Sequence, residues 1–144
     1  KGFVLDRCAD ELRELGVTSA LLHGGTSSVT AVGTTPDGSP WRIRIADDAP
    51  GAPAVELADR SLSVSSPSGR MVGGDGHILD PRSGRSATGV EHACIVGASA
   101  EVCEAWSTAV VVEPALLERL PSGYAGHALI DGAWRSTNNR LVCV

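Results

Sequence analysis

Aromatic residues make up only 3% of this 144-residue chain, so a core has to be built from Ala, Val, Leu and Ile. Basic residues form no run and do not interleave with aromatics, and the net charge is −5, which argues against a nucleic-acid partner. No apolar run is long enough to span a membrane, and no signal peptide opens the chain. The four cysteines, Cys8, Cys94, Cys103 and Cys143, make no Cys-x-x-Cys pair and no zinc spacing. Most of them read as small core residues, a usage that leans towards a reducing compartment while leaving a disulfide open. Absent too are a Gly-x-Ser-x-Gly elbow, a Cys nucleophile pattern, a G-x-G-x-x-G turn and a Walker loop.

What remains is a soluble, globular composition, with 42% hydrophobic and 20% charged residues, of a length that suits one domain spanning 1–144. The chain opens inside a predicted helix with no lead-in, so the expectation is the C-terminal part of a longer protein. Gly2 to Leu15 has helical periodicity, with Val4, Leu5, Cys8, Ala9, Leu12 and Leu15 on the apolar side and Gly16 as its stop. Short strands are expected at Thr18–Leu22 and Ser27–Val32 around Gly24-Gly25. The turn residues Pro36-Asp37-Gly38 predict a hairpin joining the second of these to Trp41–Ile45. There Trp41, Ile43 and Ile45 alternate with Arg42 and Arg44, as in a sheet with one wet face.

Further strands are expected at Val55–Leu57, Leu62–Ser65 and Glu91–Val96, with an exposed Ser- and Gly-rich loop over Ser65–Gly76. Ser99 is placed to cap a helix from Ala100 to about Val112, with Glu101 in its first turn. A second short helix is expected at Ala115–Leu120. Strands at His127–Ile130, Trp134 and Leu141–Val144 close the chain. The fold class is α+β, a mostly antiparallel sheet with packed helices.

Two stretches carry chemistry. His77-Ile78-Leu79-Asp80-Pro81-Arg82-Ser83-Gly84 joins a histidine to a stiff turn. Histidine moves a proton near neutral pH, so His77 reads either as a held base or as a residue that packs beside a turn. Glu104 and Thr108 lie four apart on one helical face. A carboxylate and a hydroxyl there are either solvated or a hard-oxygen pair of the kind magnesium accepts. Gly24-Gly25 allows close approach of a ligand, or a bulge. Lys1 near a helix N-terminus is suited to a phosphate, or is a free end. His23, His92 and His127 have no partner at ligand spacing.

In order along the chain, these pieces resemble the C-terminal half of the FAD:protein FMN transferase family, the ApbE family. The resemblance runs through Lys1-Gly2 with Asp6, Gly24-Gly25, Asp37-Gly38 with Pro40-Trp41-Arg42, Ser65-Ser66, the His77–Gly84 motif and Glu104-Ala105-Trp106-Ser107-Thr108-Ala109. It implies an ApbE-like domain that binds FAD and magnesium and transfers FMN to a threonine of a target flavoprotein, releasing AMP. By position it implies Lys1 and Ile78 at the FAD site, Glu104, Ser107 and Thr108 at the magnesium site, and His77 near the reacting phosphate. The chain departs from the family by Glu104 for Asp, Thr26 for Asp after the Gly-Gly pair, and Ser66-Pro67 for Ser-Gly. The alternatives are a drifted flavin-binding or protein-interaction module and an FAD pyrophosphatase. The resemblance implies a bacterial protein, cytoplasmic or exported.

Overall fold

The computed structural model describes residues 1–46 and 49–137. Helix α1 (Gly2–Glu14) leads into strands β1 (Ser19–His23) and β2 (Ser28–Gly33), then β3 (Trp41–Arg44), β4 (Ala54–Leu57) and β5 (Ser61–Ser65). A 3-10 turn, Pro67–Gly69, is followed by four two-residue strands: β6 (Met71–Val72), β7 (Asp75–Gly76), β8 (Leu79–Asp80) and β9 (Arg85–Ser86). The long strand β10 (Val90–Gly97), helix α2 (Ala100–Val112), a 3-10 segment Pro114–Arg119, β11 (Ala125–Ile130) and β12 (Ala133–Ser136) complete the order.

The main sheet is antiparallel, with order β1-β2-β5-β10-β11-β12. Its central strand β10 is buried over most of its length, and its side chains alternate between two cores. Ala93 and Ile95 face a core shared with Cys103, Val110 and Val111 of α2, while Cys94 and Val96 face one shared with Val55, Leu57 and Ile43. The period of two that defines a strand therefore fills both sides. The sheet is covered by α2 on one face and by the β3–β4 hairpin on the other. This is the expected α+β class.

Several expectations hold. Helix α2 spans Ala100–Val112, and Ser99 caps it by accepting from the Val102 N–H at 3.3 Å. Trp41 and Ile43 are half-buried while Arg42 and Arg44 are exposed. Cys94 and Cys103 are buried.

The structure corrects others. Trp41–Arg44 does not pair with β2: both edges of β2 are already taken, by β1 and β5. Its partner is β4, in the register Trp41↔Leu57 to Arg44↔Ala54. Pro36-Asp37-Gly38 still turns, with the Gly38 N–H on the Thr35 carbonyl at 2.9 Å, but it carries the chain across to the opposite face. In α1 the packed face is narrower than the periodicity implied. Gly2, Leu5 and Ala9 are buried, while Val4 (59% exposed), Cys8 and Leu15 are not. The segment after Pro114 is 3-10, not α. The expected strand Leu141–Val144, with Cys143, lies outside the described residues.

Candidate functional site

The candidate site begins where α1 crosses α2. Gly2 is the point of closest approach. A Cβ there would lie 2.5 Å from the Ala100 carbonyl oxygen, inside any permitted contact, so only glycine lets the two backbones meet. At this crossing the Gly2 N–H donates to Oε2 of Glu104 at 2.7 Å, and the Lys1 main-chain nitrogen lies 3.2 Å from the same oxygen. The Lys1 ammonium reaches the other way and donates to Ser27 Oγ at 2.7 Å, at the turn between β1 and β2. Burial works against the charged form of Glu104. The Gly2 N–H and the Lys1 side-chain ammonium work the other way, favouring the carboxylate.

One turn along α2, Ser107 and Thr108 meet a strand built from alternating hydroxyls. Ser61, Ser63 and Ser65 of β5 point at α2 while Leu62 packs into the opposite core. Ser107 is fully buried, and its hydroxyl lies 2.8 Å from Ser65 Oγ, 3.3 Å from Ser63 Oγ and 3.1 Å from the Glu104 carbonyl. Ser65 also reaches Thr108 Oγ1 at 3.1 Å. Deeper in, Ser63 pairs with Ser28 at 3.5 Å and Ser61 with Thr30 at 3.0 Å. A chain of hydroxyls thus runs from the buried sheet to the exposed Thr108.

His77 stands on the loop between β7 and β8, exposed. Its Nδ1 lies 3.0 Å from the Arg70 carbonyl oxygen, and its own backbone N–H donates to the same oxygen at 3.1 Å. A carbonyl can only accept, so Nδ1 carries the hydrogen. The neutral ring then keeps its lone pair on Nε2. Ile78 turns inward and joins the core with Val90 and Val110. The ribbon leading to His77 leans on the segment after Ser65: a Cβ on Gly76 would lie 2.9 Å from the Pro67 carbonyl.

The Asp80–Gly84 turn is as stiff as expected. The Gly84 N–H donates to the Asp80 carbonyl at 2.8 Å, with Gly84 at φ +69°. Hydrogen bonds from the Arg82 side chain and backbone hold the Asp80 carboxyl below its usual range. Arg82 also grips Glu113 at 2.9 Å, at the C-terminal end of α2. Glu104 and Glu113 are about 13 Å apart along the helix axis, at ~1.5 Å per residue. The turn is therefore fastened to the far end of α2, whereas the hydrogen bonds of His77 go to the Arg70 carbonyl.

A groove of about 500 Å³ opens beside Lys1, lined also by Val4, Leu5, Cys8, Leu22, His23 and Gly24. Its walls are largely apolar. That size falls in the range of small-molecule sites, about 300–1,000 Å³. Gly24-Gly25 forms the β1–β2 turn, and Thr26 is exposed on it.

The structure therefore brings Lys1, Glu104, Ser107 and Thr108 to one edge. His77 sits on the neighbouring ribbon, and Ile78 lies beneath it in the core. Ser63, Ser65 and Asp6 belong to the same assembly. Ser65 and Asp6 stand among the residues of the family resemblance, whereas no motif singled out Ser63; its signal was the alternation Ser61, Ser63, Ser65 opposite a helix face of small residues, Ala100, Cys103 and Ser107. The donor set for a cation is a carboxylate with adjacent hydroxyls. These are hard oxygens of the kind magnesium takes, with phosphates and waters completing its shell. Among the described residues no cluster of three or more His, Cys, Asp or Glu forms a metal site, and no helix is long and apolar enough to cross a membrane.

A family model described as the ApbE family matches residues 1–123. Among solved structures, an ApbE protein from Thermotoga maritima superposes at TM-score 0.82 with 24% identity, over 95% of this chain and 48% of its own. The flavinyl transferase ApbE of Pseudomonas stutzeri, in its apo form, gives 0.77 with 32% identity, over 95% and 46%. The flavin transferase ApbE of Vibrio cholerae gives 0.76 with 23% identity, over 98% and 48%. The chain spans about half the length of these structures. A search of curated proteins found no match.

Proposed function

The chain belongs to the ApbE family, and from that premise we propose that it forms the C-terminal part of a magnesium-dependent FAD:protein FMN transferase. On this reading FAD donates its FMN half to a threonine of a target flavoprotein and AMP leaves. Two of the similar structures are named as flavinyl or flavin transferases. The observation that carries the reading is the contact of Gly2 with Glu104 at 2.7 Å, which sets the Lys1 end of α1 beside the Glu104–Thr108 face of α2.

Each residue then has a role that its surroundings suit. Glu104 and Thr108 present the oxygens that would hold magnesium, and Ser107 sits beneath them as the buried anchor, through Ser65. Magnesium, when bound, supplies neutralisation of the pyrophosphate charge. Lys1 stands at the mouth of the apolar groove, where it would meet a phosphate while the groove walls cover an aromatic ring. His77, with its lone pair on Nε2, is the candidate general base for the attacking hydroxyl. The side chain of Ile78 packs inward, so a contact with FAD at that position would come from its main chain.

The Glu104 stem is one methylene longer than the family's Asp. Here its carboxylate accepts from the Gly2 N–H at 2.7 Å. Magnesium-dependent binding of FAD by the full-length protein, followed by transfer to a threonine-bearing flavoprotein, tests the proposal. Tight binding indifferent to magnesium would favour a flavin-binding module instead. Release of FMN and AMP without transfer would favour the pyrophosphatase.

A further inference from the structure

We propose that Asp6 is the positioning residue of this site: from α1, it caps α2 and thereby sets Lys1 and Glu104 side by side. The inference rests on the function proposed above for what the positioning is for, and on geometry alone for its existence.

An α-helix leaves its first four N–H groups without partners. In α2 those of Ala100, Glu101 and Val102 are taken by side chains, two of them by one more than ninety residues away in sequence. Asp6 Oδ1 accepts from the Ala100 N–H at 2.7 Å and Oδ2 from the Glu101 N–H at 3.0 Å. The Ser99 hydroxyl donates to Asp6 Oδ2 at 2.7 Å and accepts from the Val102 N–H at 3.3 Å. The Cys103 N–H, on the Ser99 carbonyl at 3.0 Å, opens the helix's own ladder. Ser99 alone would have served as an ordinary cap. Asp6 takes over two of the donors and places its negative charge where the helix dipole favours it.

Gly2 and Asp6 are four residues apart, on the same face of α1 as Leu5 and Ala9. α1 is therefore fastened to α2 at two points one turn apart: Asp6 on the N–H groups of Ala100 and Glu101, and Gly2 on the carboxylate of Glu104. One fastening would leave α1 free to pivot. Two fix both its direction and its register, and with them the place from which Lys1 reaches Ser27. Asp6 touches none of Lys1, Glu104, Ser107 or Thr108 in the contacts above, so it acts through the helices.

The test uses the full-length protein with Asp6→Ala and the milder Asp6→Asn, which keeps one carbonyl acceptor. Amide hydrogen exchange is read at Gly2, Ala100 and Glu101, with Ile95 and Ala128 of the central strands reporting that the fold is intact. Mn²⁺ in the presence of FAD is the metal probe. The expected result for Asp6→Ala is faster exchange at Ala100 and Glu101 and also at Gly2, with Mn²⁺ affinity weakened by about tenfold, as when a supporting partner of a metal ligand is lost. Asp6→Asn should fall between this and the unaltered protein. Faster exchange confined to Ala100 and Glu101, with Gly2 and Mn²⁺ affinity unchanged, would reduce Asp6 to an ordinary cap and overturn the proposal. If the unaltered protein binds no Mn²⁺, the proposed function fails, and exchange at Gly2 still decides for or against Asp6.

Discussion

The N–H of Gly2 donates to Oε2 of Glu104 at 2.7 Å, joining residues 102 positions apart in the sequence. This contact sets two separate motifs side by side. It also makes Glu104 the residue on which the metal assignment stands or falls. In the full-length protein, Glu104→Ala should leave the fold intact and weaken magnesium-dependent FAD binding and FMN transfer, by more than the roughly 10- to 100-fold typical of losing a supporting partner. Fluorescence titration of FAD with and without magnesium reads it. Unchanged magnesium dependence would remove Glu104 from the site.

His77 is held by the Arg70 carbonyl through Nδ1, which frees Nε2. His77→Ala should therefore slow transfer by about 10²–10⁴-fold, the usual span for a general base, and change FAD affinity far less. Single-turnover rates measured beside binding constants separate the two. Equal losses in both would make His77 a binding residue.

Gly2→Ala tests the helix crossing. The added Cβ would lie 2.5 Å from the Ala100 carbonyl oxygen, so α1 has to move away from α2. Overpacking of this kind costs about 1–3 kcal/mol. Urea unfolding should show that loss, and FAD binding should weaken with it. A variant of unaltered stability would mean that the helices tolerate the separation.

Ser65→Ala removes a hydroxyl shared by Ser107 and Thr108. Ser107 keeps Ser63 and the Glu104 carbonyl, so the cost should be that of one hydrogen bond, about 1 kcal/mol. Ser68→Ala, on the exposed 3-10 turn, should cost less. Chemical denaturation compares the two; equal effects would show that Ser65 is not part of the supporting chain.

His127 gives a pH dependence of known sign. It is buried, with Nδ1 2.7 Å from Ser136 Oγ, and burial lowers its pKa below 6.5. Between the folded and unfolded values the unfolded chain binds more protons, so stability falls as pH drops below about 6.5 and is recovered above it. His127→Asn should flatten that slope in urea melts taken from pH 7 to pH 5. An unchanged slope would assign the dependence to other groups.

What could be read from the sequence was what repeats locally. The α2 boundaries followed from Ser99 and the apolar run behind it. The strand at Glu91–Val96 was expected from the sequence, though not its two-sided packing, and the stiff Asp80–Gly84 turn followed from its proline and glycine. The order of Lys1-Gly2, Asp6, His77 and Glu104-to-Thr108 also pointed to the family before any contact was known. Which strand pairs with which was not legible. Pro36-Asp37-Gly38 looks the same whether the next strand returns to its neighbour or crosses to the other face, and only the prior pairing of β2 with β1 and β5 decides it. Nor could the sequence separate Ser61, Ser63 and Ser65 from a wet strand face, since alternating hydroxyls read as solvent-facing until a helix covers them. Val4 and Cys8 share the period of Leu5 and Ala9, yet α1 buries only the stripe that meets α2. Local periodicity fixes the elements because it is a property of neighbouring residues. The site is a property of residues far apart, and it exists only where the crossing at Gly2 and the cap at Asp6 bring their polar groups within hydrogen-bonding distance.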